Sequence, residues 1–430
     1  MIRKYIHQSW RTIGAEKLYS SLYISGVALS IAAVMVMSMA LYANLAPVYP
    51  EYNRAQQVYF DRLGTEYGSP GQRRMQQWAL SEWTVRNIID SMKTLECHTA
   101  FYRTSFLNRF IYSGENGDNI PLLITPIDAN FFKIYDFDFV AGRALTKDEF
   151  DGNEKVIILS DRTATELFGN PADCIGRIIK ISFIDYKVIG VVREPSNIMM
   201  SYAMGYVPYS AVRDKLMSSN EIVGGYYVVA IPKKGVTHKQ ISDDFSRCMQ
   251  PVISANSGID LEIKTFDRPV SHFTRTFGDA LSADATYLWY LAAVILVLLI
   301  VPAMNLSGMI VGRMEQRRSE MGIRKSFGAT RGVLLGQVLT ENLLLTFLGA
   351  AAGLILSWVL ISSFGRIIFD LLGGADEIPD NTRLTPDMLF SPIIFATVAV
   401  MTLILNLLSS YIPVRRALRK PIVESLNNQR

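Results

Sequence analysis

Glu320-Met321-Gly322-Ile323-Arg324-Lys325-Ser326-Phe327-Gly328-Ala329-Thr330 is a short, basic, glycine-punctuated stretch between two long apolar segments. A basic loop between two membrane spans faces the cytoplasm, so this stretch sets the orientation of everything on either side of it. Ile323 and Phe327 are four residues apart and share a face on a helix. Glu320 and Arg324 have the same spacing, in the order that favours an ion pair along a helix. The pattern predicts a small amphipathic helix, with Gly322 near its start and Gly328 as its stop. On pattern alone the same residues would also serve as plain positive-inside anchors.

Working outward, hydropathy divides the chain of 430 residues, half of them hydrophobic, into nine segments. Residues 1–21 form a basic amphipathic helix in the cytoplasmic interface, with Tyr5 and Trp10 at the depth where aromatic rings are favoured. Residues 22–46 carry no charge and are long enough for a first span; the apolar run is too long for a cleaved leader. Residues 47–284 change to the composition of a soluble domain. A second span at 285–311 is entered through Tyr287, Trp289 and Tyr290 and contains Pro302, where a kink is expected. The basic loop at 312–332 leads to a third span at 333–363. An acidic loop at 364–390, a fourth span at 391–414 and a basic tail at 415–430 complete the chain. Basic residues thus mark both ends and the loop between the second and third spans. All agree on one orientation, with both termini inside and the large domain outside. The fold class expected is an α-helical membrane protein with four transmembrane helices and a large extracytoplasmic α+β domain between the first and second.

Within that domain, strands are predicted at 156–159, 178–183, 187–192 and 226–231. Residues 177–192 read as a β-hairpin with Asp185 near its turn. A helix at 161–168 would have Ser160 or Asp161 as N-cap and Gly169 beyond its end. In the spans, Gly26 and Ser30 form a small-residue pair, and Gly349 and Gly353 a G-x-x-x-G. Both let another helix approach closely, and the smoothness of the second suits a helix–helix seam, within the chain or between two copies of it. Glu341, with Asn342 beside it, lies about two turns into the third span. An intramembrane carboxylate marks a functional site by default; here the shallow depth lets it reach the interface or pair with a basic loop residue, which favours a helix contact or anchor over proton carriage.

Several function classes are excluded or disfavoured. The net charge of +4 is too small to suggest nucleic acid. The three cysteines (Cys97, Cys174 and Cys248) allow at most one disulfide, and they and the four histidines lack metal-ligand spacing. No P-loop, dinucleotide fingerprint, nucleophile elbow or kinase signature is present. No catalytic residues, metal or cofactor are therefore expected in this chain.

The ordered stretch Arg317-Arg318-Ser319-Glu320-Met321-Gly322-Ile323-Arg324-Lys325-Ser326-Phe327-Gly328-Ala329-Thr330 resembles the signature of FtsX-like permeases, the MacB-type membrane subunits of ATP-binding-cassette transporters. In the outer domain, 125–132, 141–145, 166–169, 175–177 and 186–192, with Pro208, resemble the MacB-like periplasmic core. The likeness is weakest at 51–119 and 211–284.

The resemblance implies a bacterial inner-membrane protein whose partner is a P-loop ABC ATPase that binds the ATP. Arg317, Glu320, Met321, Gly322, Ile323, Arg324, Lys325, Phe327, Gly328 and Ala329 would lie at the ATPase contact. Two permease copies, identical or related, would sit together in membrane lipid, and ATP hydrolysis would move the outer domain by mechanotransmission, with export as the work done. A periplasmic adaptor is compatible with this arrangement. MacB itself carries its ATPase at its N-terminus, a departure that makes the ATPase a separate partner here. The alternatives are an FtsX-type regulator of a cell-wall hydrolase, which usually has a smaller outer domain, and a lipoprotein-release permease. A membrane-anchored enzyme would need a nucleophile, base and oxyanion cluster that the sequence does not present.

Overall fold

The computed structural model describes residues 10, 14, 16–60, 63–67, 74–102, 110–113, 119–215, 223–255, 261–264, 270–271, 286–371 and 391–419. Among these, the helices of eight residues or more are α1 (Lys17–Leu45), α2 (Asp161–Phe168), α3 (His238–Ala255), α4 (Thr286–Gln316), α5 (Arg318–Ser326), α6 (Arg331–Leu371) and α7 (Pro392–Arg419). The chain divides into two units. One contains most of α1 together with α4–α7; the other is formed by described residues between Asn44 and residue 271. Most of the N-terminal segment expected at 1–21, the acidic loop beyond 371 and the tail beyond 419 lie outside the described residues.

In the helical unit, three described helices are long and apolar enough to cross a bilayer: Lys17–Leu45, Arg331–Gly365 and Pro392–Arg416. The helix of α4 is continuous through Pro302. α6 begins at Arg331, and Phe364, at φ −123° and ψ 16°, breaks its helical geometry where hydropathy ends the third span. Ser391 caps α7, its hydroxyl accepting from the Ile394 N–H at 3.5 Å and its carbonyl from Phe395 N–H at 3.0 Å.

Small residues decide how these helices meet. A Cβ on Gly349 would stand 2.6 Å from the Val27 Cβ, and one on Gly353 2.8 Å from the Ala28 carbonyl oxygen. The G-x-x-x-G face of α6 is therefore filled by α1 of the same chain. The helix–helix seam expected at these glycines is thus formed within the chain, where the absent side chains make room for an intramolecular neighbour. Ser30, from the other small-residue pair, donates to the Leu298 carbonyl of α4 at 2.9 Å. Gly26, one turn earlier on α1, is half-buried.

The second unit is built on a mixed sheet. Its middle strands lie in the order Leu95–Tyr102, Ile124–Ile127, Gly205–Pro208, Val156–Ser160, Ile184–Val192, Ile178–Ile181. Ile124–Ile127 is parallel to Gly205–Pro208, and Val156–Ser160 to Ile184–Val192; the other neighbours are antiparallel. Val156–Ser160 is buried along its whole length, as a strand covered on both faces must be. Ser160 caps α2 by accepting from the Thr163 N–H, and Gly169 stops it at φ +81°, as the sequence predicts. The hairpin forms too, but its turn is Ser182-Phe183, both at positive φ, which makes it a two-residue turn without glycine. The Ser182 N–H donates to the Ile111 carbonyl at 2.7 Å and its hydroxyl accepts from the Ile111 N–H at 3.2 Å, which helps hold the unusual backbone. Cys97, Cys174 and Cys248 are free thiols, and burial pushes each of them up.

An aromatic core of Phe101, Phe131, Tyr135, Phe137 and Tyr206 packs under this sheet. Asp128 sits at its edge, where the strand Ile124–Ile127 turns into the short helix Phe131–Ile134. Its carboxylate accepts from the Thr99 hydroxyl at 2.5 Å, the Ala100 N–H at 2.8 Å and the Asn130 N–H at 3.0 Å. Burial outweighs these bonds and raises its pKa to about 6. Between the ordinary carboxylate range and pH 6, the folded domain therefore holds a proton that the unfolded chain has released. The contribution of this group to stability falls as pH rises through that window.

Two outcomes follow for full-length protein in detergent. The stability of the wild type relative to Asp128→Asn should fall by about 2–3 kcal/mol between pH 4 and pH 7; a pH-independent difference would contradict the burial argument. Gly349→Leu should lower thermal stability by about 1–3 kcal/mol or more through overpacking against Val27, and Val27→Ala in the same chain should recover part of that loss. An unchanged melting profile would remove α1 from the Gly349 face.

Candidate functional site

The stretch singled out in the sequence is a helix. α5 spans nine residues, Arg318–Ser326, separated from α4 by Arg317, whose backbone at φ −93° and ψ 8° lies outside helical geometry. Gly322 is thus in the middle of the helix and buried, not near its start. Gly328, at φ +89°, ends it in a Schellman motif: its N–H donates to the Lys325 carbonyl at 3.0 Å, and Ala329 N–H reaches the Arg324 carbonyl at 3.0 Å. Thr330 then caps α6, its hydroxyl accepting from the Val333 N–H at 3.4 Å. Glu320 pairs with Arg324, as their spacing predicts. Arg324 also donates to the Gln337 side chain on α6 at 2.8 Å, tying α5 to its neighbour. Lys325 is partly buried, which together with nearby Arg331 lowers its pKa. Besides the exposed Glu320 and Ser326, α5 and the residue that follows it leave two apolar side chains uncovered: Ile323 is 50% exposed and Phe327 88%, with Met321 half-buried beside them.

Beneath α5, Glu341 does not stand alone. Arg313, near the end of α4, donates to it through Nη2, and Arg317 donates through Nη1 at 3.2 Å. The same two arginines meet Glu16, the residue before α1: Arg313 Nε at 2.7 Å, and Arg317 Nη2 and Nε at 2.6 and 3.0 Å. The result is a closed ring of alternating charge, in which every member faces two partners of opposite sign. The Arg313 guanidinium also lies 4.2 Å above the centre of the Tyr19 ring. Glu341 is 2% exposed and Arg313 8%, so neither charge could be buried without the others. Removing one member of such a buried pair costs about 3–5 kcal/mol, against about 0.3–0.5 kcal/mol for an exposed pair such as Glu320–Arg324. The ring, rather than the pair visible in the sequence, holds this junction together.

Further along α6 the buried side chains are neutral. Thr346 meets the Tyr23 hydroxyl of α1 at 3.2 Å and the Asn406 amide of α7 at 3.4 Å. Asn342 is buried, with neither amide atom hydrogen-bonded among the described residues. The structure thus brings Arg317 and Glu341 together and leaves Asn342, Gly349 and Gly353 on α6 apart from α5. The pairing of Glu341 with a basic loop residue was expected from the sequence, with Arg313 counted among the basic residues of that loop, whereas Glu16 and Tyr19 were passed over. Glu16 was detectable as an acidic residue in an otherwise basic N-terminal stretch. Among the described residues no group of His, Cys, Asp and Glu is placed to hold a metal ion.

The MacB-like periplasmic core domain model matches residues 20–247, and the FtsX-like permease C-terminal model matches residues 292–422. Curated relatives include the macrolide export ATP-binding/permease protein MacB of Escherichia coli strain K12 and that of Shigella flexneri. Each is 22% identical over 424 residues, 97% of this chain. The chain spans 59% of the length of these relatives. Among solved structures, a domain of a putative permease protein from Porphyromonas gingivalis is similar with a TM-score of 0.38 at 12% identity, over 52% of this chain and 93% of that one. The periplasmic region of MacB from Actinobacillus actinomycetemcomitans is similar with a TM-score of 0.34 at 16% identity, over 49% of this chain and 89% of that one. With one model matched over more than half its length and the second over most of the remainder, the chain belongs to the family of permeases that join a MacB-like periplasmic core domain to an FtsX-like C-terminal domain.

Proposed function

We propose that this protein is the membrane subunit of an ATP-binding-cassette transporter that turns ATP hydrolysis on one side of the membrane into movement of its α+β domain on the other. The observation that carries the reading is α5. It is a short helix fixed at both ends, presenting Ile323 and Phe327 to solvent among basic side chains. An apolar pair held rigidly on a helix suits insertion into a groove of a partner protein. The partner is a P-loop ATPase, in keeping with the relatives whose name joins ATP-binding and permease functions.

In this reading α1, α4, α6 and α7 are four spans, with both termini cytoplasmic and the outer domain extracytoplasmic. That orientation places basic α5 on the ATPase side. The buried polar groups described above are few and neutral beyond Glu341, which suits force transmission better than a hydrophilic path for a solute. Two copies of the chain, or this chain and a related permease, would present two α5 helices to two ATPases. Export is the work that the resemblance and the relatives' name favour, with lipoprotein release and hydrolase regulation as the other uses of the same machinery.

The test is purification of the full chain from its own membrane in mild detergent, with the bound proteins identified by mass spectrometry. A P-loop ATPase should be present in stoichiometric amount. Ile323→Asp or Phe327→Asp should leave insertion and yield unchanged while reducing its recovery about tenfold or more, as loss of a central apolar anchor does. Undiminished recovery in both variants would take the docking role away from α5.

A further inference from the structure

The ring of Glu16, Arg313, Glu341 and Arg317 joins four separate pieces of the chain: the start of α1, the end of α4, the link into α5, and α6. Each charge has two opposite neighbours, and the sum of the four is zero. Sliding any one piece away would leave the other three with one unbalanced charge at a site where Glu341 and Arg313 are almost wholly buried. Two shorter ties run alongside it: Tyr19 of α1 packs on Arg313, and Arg324 of α5 reaches Gln337 of α6. Higher up, Ser30 of α1 bonds to the backbone of α4.

We propose that Glu16, Arg313, Arg317 and Glu341 are positioning residues that weld α1, α4, α5 and α6 into one rigid body at their shared end, so that a push on α5 is delivered to α1. The push itself rests on the docking role proposed for α5; the weld does not. Both carboxylates are taken up by guanidinium groups, and α6 offers no acidic residue or histidine between Asn342 and Phe369 to pass a proton onward. The ring is therefore mechanical in character rather than a relay. The chain leaving α1 is also clamped: buried Arg54 pairs with Glu51 at 2.8 Å and donates to the Asn44 and Ala46 carbonyls at 3.3 and 3.0 Å.

The experiment uses the full chain in lipid nanodiscs, with Cys97, Cys174 and Cys248 replaced by Ala. Nitroxide labels are placed at Leu18 on α1 and Ser326 on α5, both exposed. Electron paramagnetic resonance should give one narrow distance distribution for the intact ring and for Glu16→Asp. Glu16→Gln, which keeps the shape and removes a charge from the most exposed member, should lose the single narrow peak. Glu341→Gln should do the same where it inserts. With the co-purified ATPase present, ATP hydrolysis should remain coupled to the permease in Glu16→Asp and uncouple in Glu16→Gln. Equal widths for Glu16→Gln and the wild type would overturn the weld. If no ATPase is recovered, the docking reading fails while the width comparison still decides the ring.

Discussion

Two arginines and two glutamates at the shared end of the membrane helices are the constraint on which the helical unit depends. The apolar faces of α1, α4 and α6 do not by themselves choose a register, because hydrocarbon side chains are nearly as well placed against lipid as against one another. A buried carboxylate is different: Glu341 has to meet a cation, and only the arrangement that brings Arg313 and Arg317 to it is tolerable. Glu16 then balances the second positive charge and draws the start of α1 to the same point. Register, neighbour order and the height of α5 are thereby set together. Gly349 and Gly353 complete the choice by accepting Val27 and Ala28 of α1 at backbone distance.

The outer domain rests on a different kind of constraint. Its aromatic core tolerates one carboxylate, Asp128, because three donors surround it, two of them from the neighbouring strand Leu95–Tyr102. That carboxylate joins a strand end to a helix start and fixes the adjacent strand at the same time. Both units thus use a buried acidic residue as a point of specification. Glu341 in the helical unit is met by charged partners, and Asp128 in the outer domain by neutral donors. The difference follows from what is near each site: long basic side chains at a membrane boundary, backbone N–H groups at a sheet end.

Local chemistry was legible in the sequence and distant chemistry was not. Ser160, Gly169 and Gly328 announce their caps because a cap is decided within a few residues. The α5 helix and the Glu320–Arg324 pair were readable for the same reason. The hairpin was readable from its strands, but its turn was not: Ser182-Phe183 carries no turn signature, and its backbone is secured by Ile111, on another strand. Gly322 was misplaced because the break before α5 falls at Arg317, where tertiary ion pairs rather than a capping side chain end α4. Glu341 was recognisable as anomalous, and its pairing with basic loop residues was readable, yet the second carboxylate that shares those arginines, Glu16, lies near the other end of the chain. No periodicity links the two.

The same contrast bears on how the site divides its work. Ile323 and Phe327 are the only members of the sequence-defined motif left largely uncovered as apolar side chains, so any partner met by this segment meets them first. Arg317 and Arg324 face inward instead, one into the ring and the other onto Gln337. A motif that looks uniform in sequence therefore contains two sets of residues with opposite tasks. The hydrophobic pair offers a contact, and the basic residues hold that contact still relative to three long helices. A docking helix without such a brace would yield under load, because a nine-residue helix has little stability of its own. The ring supplies from tertiary charge pairing the rigidity that so short a helix lacks.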